Sequence, residues 1–177
     1  MGDSEFLLIP HERVGVLIGP KGQTKREIEK KTSTEIIVDS EEGEVEVVQQ
    51  GEPLKFHKAL QIVKAIGRGF SPEHAFRLLK EMCTLQIIEL EETIGKSESN
   101  MKAKRGRVIG KSGRMRENIE EETGALVSVY GKTISIIGTV EEIEKATKAV
   151  QMLLGGAAHT SVYDSLKKKY SGEKFEL

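Results

Sequence analysis

The chain opens on an apolar stretch, Phe6-Leu7-Leu8-Ile9, that reads as a strand. A short helical segment leads from it into a glycine turn, Ile18-Gly19-Pro20-Lys21-Gly22. A second helix with Ile28 on its inner face follows, then strands over 35–39 and 44–48, then a long amphipathic helix. The same order then returns. Leu85-Gln86-Ile87-Ile88 reads as a strand, and Ile109-Gly110-Lys111-Ser112-Gly113 is the second turn. Met115 and Ile119 mark the inner face of the next helix, and strands are predicted over 126–130 and 133–137. Val45 and Val47, like Ile134 and Ile136, alternate with polar neighbours, as half-buried antiparallel strands do. In the closing helix Val140, Ile143, Ala149, Val150 and Leu153 mark the buried face. Thr139 with Glu142 predicts a capping box at its start.

The two halves align residue by residue. Gly19 corresponds to Gly110, Lys25 to Arg116, Ile28 to Ile119, Glu29 to Glu120, Thr32 to Thr123, Ile36 to Val127 and Val38 to Val129. Two copies point to a duplicated domain rather than a solenoid. Between them, Ser71-Pro72-Glu73 is a helix start, and Ala75, Leu78, Leu79 and Met82 form a stripe. The expected layout is a first domain over 1–69, a linker helix over 70–83, a second domain over 84–155 and a tail over 156–177. The tail carries a short helix around Tyr163, Leu166 and Tyr170, with loose last residues.

Two glycines spaced G-x-x-G between helices let a backbone approach another polymer closely. The N–H groups opening the next helix favour a phosphate there. Net charge is −1, which by itself argues against nucleic acid. The local distribution changes that picture. Lys102, Lys104, Arg105, Arg107, Lys111, Arg114 and Arg116 bracket the second turn with no acidic residue among them. That run predicts phosphate contact. The first turn has fewer cations, Arg13, Lys21, Lys25 and Arg26, and Pro20 removes one backbone donor. Weaker nucleic-acid contact or a protein partner is expected there, through Ile18, Gly19, Lys21, Gly22 and those cations.

Other chemistries find little support. Gly-Lys-Ser occurs at Gly95-Lys96-Ser97 and Gly110-Lys111-Ser112, but a nucleotide-binding P-loop needs a glycine where Leu90 and Arg105 stand. His11, His57, His74 and His159 share no ligand spacing, so no metal or other cofactor is expected. Glu120-Glu121-Glu122 reads as solvated helix surface, and no nucleophile has a matched base, so no enzyme is expected. Cys83 is the single cysteine and reads as a buried hydrophobe. With neither a signal peptide nor a membrane span in the pattern, a cytoplasmic protein is expected.

The element order and the paired Ile-Gly-x-x-Gly turns resemble type I KH domains over most of the chain. The resemblance implies an α+β fold: two tandem β-α-α-β-β-α domains, each a three-stranded antiparallel sheet with three helices on one face. It implies that the turn clamps a single RNA strand by its backbone. The bases then lie in a groove, with Val108 and Ile109 in its floor and Val127 and Val129 along its strand wall. Gly110, Lys111, Ser112 and Gly113 form the clamp. Few aromatic residues (5%, no Trp) argue against a stacking platform. Lys-Arg-Gly-Arg-Val-Ile-Gly-Lys-Ser-Gly within a short paired chain is similar to the archaeal counterparts of the small-subunit assembly factor "partner of Nob". That likeness implies binding near the 3′ end of the small-subunit ribosomal RNA precursor, as a monomer, beside pre-ribosome proteins and a Nob-type endonuclease. A protein-interaction scaffold and a general messenger-RNA binder are the alternatives.

Overall fold

Val45 and Val47 are fully buried and place β3 (Glu44–Gln49) at the centre of an antiparallel sheet ordered β1-β3-β2. Its neighbours are β1 (Ser4–Leu8) and β2 (Thr34–Asp39). This is a computed structural model in which residues 2–171 are described. The chain divides into two units, Met1–Leu85 and Gln86–Leu177.

In the first unit α1 (His11–Ile18), α2 (Gln23–Thr32) and α3 (Pro53–Gly67) pack on one another, and α3 lies against all three strands. Leu17, Ile28, Ile36 and Ile62 fill the space between helices and sheet. Burying each such side chain stabilises the fold by about 1.5–3 kcal/mol. The segment expected as one linker helix is two short turns, α4 (Pro72–Ala75) and a 3₁₀ turn Phe76–Leu79, both against α3. Ser71 caps α4 by accepting from the His74 N–H at 3.3 Å. Ala75 and Leu78 are buried, but Met82 is 73% exposed: the helix has ended before it, so the expected stripe breaks off. Lys58 on α3 is buried and donates to the carbonyls of Lys80 (3.2 Å) and Cys83 (2.5 Å).

The second unit repeats the sheet, ordered β4-β6-β5, from β4 (Cys83–Glu89), β5 (Leu126–Tyr130) and β6 (Thr133–Thr139). Its helices are α5 (Leu90–Ile94), α6 (Glu98–Ile109), α7 (Arg114–Thr123), α8 (Val140–Leu154) and α9 (His159–Ser171). Met115, Ile119, Val127, Ile134, Ile136 and Val150 share its core. The capping box of Thr139 and Glu142 forms as expected.

Three details differ from the sequence pattern. Val140 is 72% exposed because it stands on the first turn of α8, where the periodic stripe starts before there is a layer to cover; Ala146 and Leu154 are buried instead. β6 is buried on both faces, since Thr133, Ser135 and Ile137 are as hidden as Ile134 and Ile136. The small hydroxyls look polar in sequence yet tolerate burial. The tail helix α9 is longer than expected and belongs to the second core, with Val162 fully buried against it. The expectation of loose residues at the end of the chain falls on 172–177, outside the described residues.

Candidate nucleic-acid interface

Each glycine turn links the first two helices of its unit's repeat through a single 3₁₀ turn, Pro20–Gly22 between α1 and α2 and Lys111–Gly113 between α6 and α7. The two turns have nearly the same backbone. Gly19 and Gly110 lie at φ 72° and 73° with ψ 176°. Lys21 and Ser112 both take left-handed angles, φ 52° and 55°, and Gly22 and Gly113 follow at φ 73° and 75°. Gly110 is held by more than its angle. A Cβ there would stand 2.7 Å from the Met115 Cβ and 2.8 Å from its backbone nitrogen. Pro20 fits because the residue after the first glycine has negative φ in both copies and the ψ of 176° at Gly19 keeps clear of the helical values that a following proline disfavours. Proline therefore removes a donor without changing the shape of the loop.

Lys111 and Ser112 are exposed at the tip, as their positions predict. The seven cations around them separate into two sets. Lys102, Lys104, Lys111 and Arg114 have no partner among the described residues and face solvent wholly or in part. The other three are occupied. Arg107 turns inward and donates to the carbonyls of Leu153 (3.2 Å) and Ala157. His159 Nε2 donates in turn to the Arg107 carbonyl at 3.0 Å. Arg105 donates to the Gly131 carbonyl at 2.5 Å, at the β5–β6 turn. Arg116 pairs with Glu120 at 3.0 Å. In the first copy Arg13 donates to the carbonyls of Ile66 and Phe70, each at 2.7 Å. Lys25 pairs with Glu29 at 3.2 Å, which leaves Lys21 and Arg26 exposed. Arg13 and Arg107 thus fasten the helix that carries the turn to the end of the last helix of the repeat. Sequence shows their charge but not their direction.

The apolar groove residues also divide. Val108 (0% exposed) and Val127 (3%), expected along the groove, are buried members of the second unit's core. Ile109, 36% exposed beside Gly110, and Val129 on β5 reach the surface, and Ile18 is half-buried at the first turn.

The strand wall has a polar component that side-chain reading missed. Glu120 accepts the Val127 N–H at 2.8 Å, so that N–H points away from β6. Residues two apart on an edge strand point the same way. Val127 pairs with Ile136 and Val129 with Ile134, so the carbonyls of both valines and the N–H of Val129 lie along the open edge. Glu29 accepts the Ile36 N–H at 2.8 Å in the first copy and gives β2 the same edge. Glu120 is therefore no solvated surface acid. The signal was present in its correspondence with Glu29. Gly95-Lys96-Ser97 is helix punctuation: Gly95 ends α5 at φ 84°, and the Ser97 hydroxyl accepts from the Asn100 N–H at 3.3 Å to start α6.

A flat cationic tip beside a strand edge of outward amides and carbonyls can hold phosphates on one side and hydrogen-bond base edges on the other. Comparison with known proteins agrees in kind. Residues 4–65 match the KH domain family, and residues 84–171 match a eukaryotic-type KH domain, KH-domain type I, of the PNO1 second-domain class. A KH domain-containing protein of Methanocaldococcus jannaschii is 44% identical over 98% of this chain and 78% of its own length. A chain in the crystal structure of the a/eIF2alpha–aDim2p–rRNA complex from Pyrococcus horikoshii OT3 is 50% identical, with a TM-score of 0.90 over 96% of this chain and 95% of its own. The pre-rRNA-processing protein pno1 of Emericella nidulans is 32% identical over 63% of this chain, which spans 44% of that protein.

Proposed function

Since the chain belongs to the PNO1-like proteins with type I KH domains, we propose that it binds single-stranded RNA of the small ribosomal subunit, near the 3′ end of the precursor, and assists its processing. The observation that carries this reading is the second turn. Lys111 and Ser112 are exposed on a backbone held open by Gly110 and Gly113, with Lys102, Lys104 and Arg114, unpaired among the described residues, around them. The outward edge of β5 stands beside it. Phosphates sit at the turn and bases at the strand edge, and a duplex does not fit between them. The rRNA in the complex of the Pyrococcus relative and the processing role in the name of the fungal one support the choice of RNA. Pre-ribosome proteins, a Nob-type endonuclease among them, are the partners that this role brings.

The first turn keeps the backbone of the second but has, among the described residues, only two unpaired cations, Lys21 and Arg26, and one backbone donor fewer. It makes the weaker contact of the two.

The test is Lys111→Asp combined with Ser112→Asp, with binding of a single-stranded 3′-end ribosomal fragment followed by fluorescence anisotropy. Affinity is expected to fall at least about 100-fold, on the order of 3 kcal/mol, while circular dichroism stays unchanged. Retained affinity would favour the scaffold reading. A scrambled strand bound as tightly would favour a general messenger-RNA binder.

A further inference from the structure

The outer face of the first sheet is uncovered. Strand register fixes which side chains share it. Phe6, Glu46 and Ile37 stand in one row, Leu8, Glu44 and Asp39 in the next, and Ser4, Val48 and Glu35 in the third. Phe6 is 58% exposed, Leu8 77% and Ile37 50%. Four carboxylates share these nine positions with no cation, and none of the four has a cationic partner among the described residues. Glu41 and Glu42 at the β2–β3 turn extend the acidic rim. In the duplicate, the positions matching Glu44, Glu46 and Val48 are Thr133, Ser135 and Ile137, all buried. One copy has this face covered; the other carries it open and acidic.

We propose that this face docks a basic amphipathic helix of another protein. Charge complementarity selects the occupant. A nucleic acid would bring phosphates against four carboxylates, so the face is closed to the ligand of the glycine turns. A second copy in face-to-face pairing would oppose eight carboxylates. A helix with an apolar stripe flanked by Lys and Arg satisfies both components: its stripe covers Phe6, Leu8 and Ile37, and its cations meet Glu35, Asp39, Glu44 and Glu46. Three strands span about 10 Å, close to the diameter of roughly 10–12 Å of one helix.

The test uses the full chain and a labelled 18-residue synthetic helix with leucines on one face and lysines and arginines beside them. A peptide of the same composition in scrambled order is the control. The patterned peptide is expected to bind at least ten times more tightly than the scrambled one and to move amide resonances of β1, β2 and β3. Glu44→Lys with Glu46→Lys, and separately Phe6→Thr with Ile37→Thr, should each weaken it at least tenfold. Lys111→Asp with Ser112→Asp should not. The proposal is overturned if the charge-reversed chain binds equally well, if the resonance changes gather at the glycine turns, or if sedimentation shows the free chain dimerising through this face. RNA affinity of the sheet-face variants is expected to stay at the wild-type value. Failure of RNA binding and failure of helix docking are thus read on separate variants.

Discussion

Ser33 closes α2 in the left-handed region, φ 50° and ψ 55°, where the second copy ends α7 with Gly124 at φ 80°. A side chain at such angles carries a strain of roughly 1–2 kcal/mol that glycine avoids. Ser33→Gly is expected to stabilise the first unit by about 1 kcal/mol, read as a higher denaturant midpoint with unchanged slope. Residue-scale features of this kind are visible only in part in the sequence. The correspondence of Ser33 with Gly124 could be aligned, but the dihedral could not. The glycine turn was legible because its function requires particular residue types at fixed spacing. The basic run was legible as charge and illegible as geometry. Arg107 is one helical turn from Lys104, yet one ends among backbone carbonyls and the other at the surface.

At the scale of elements, that difference separates folding from binding. Arg107 holds the end of α8 to α6, so Arg107→Ala is expected to destabilise the second unit by about 2 kcal/mol in chemical unfolding. Lys104→Ala should leave unfolding unchanged and weaken RNA binding. The reverse pattern would mean that the two arginine and lysine roles are exchanged. Lys58 supplies a second element-scale test. Burial holds its ammonium below the ordinary pKa of 10.5, against the opposing effects of Cys83 and Glu81. The folded chain therefore binds fewer protons than the unfolded one between the lowered value and 10.5. The cost of burying the charge is full below that window, and stability rises with pH across it. Lys58→Met should abolish this alkaline gain, compared with wild type by unfolding along a pH series. Element order was readable because strand and helix periods alternate cleanly twice. The double burial of β6 was not, because Thr133 and Ser135 alternate like solvent-facing residues whatever covers them. The depth of α9 in the second core was equally hidden, since Val162, Tyr163 and Leu166 are a short apolar stripe in a largely polar segment.

For the whole molecule, the number of unpaired cations sets the salt response. With Lys102, Lys104, Lys111 and Arg114 on phosphates, log affinity for single-stranded RNA should fall against log salt with a slope of about −3. If Lys21 and Arg26 of the first turn grip the same strand, the slope steepens to about −4. A titration by anisotropy distinguishes the two, and a flat response would contradict phosphate contact altogether. The duplication itself was plain from matching residues. The uneven use of its two sheets was not, because exposure depends on what lies against a strand rather than on the strand.

The matched dihedrals of Gly19–Gly22 and Gly110–Gly113 have a consequence for how such a protein changes over time. Because proline and lysine occupy the same place between residues of matched angle, the mould and its contents are decoupled. Two codons in either copy can retune how firmly a strand is grasped while the surrounding architecture stays as it was. A gene duplicated in this way inherits two hands of one shape, each free to acquire its own preference.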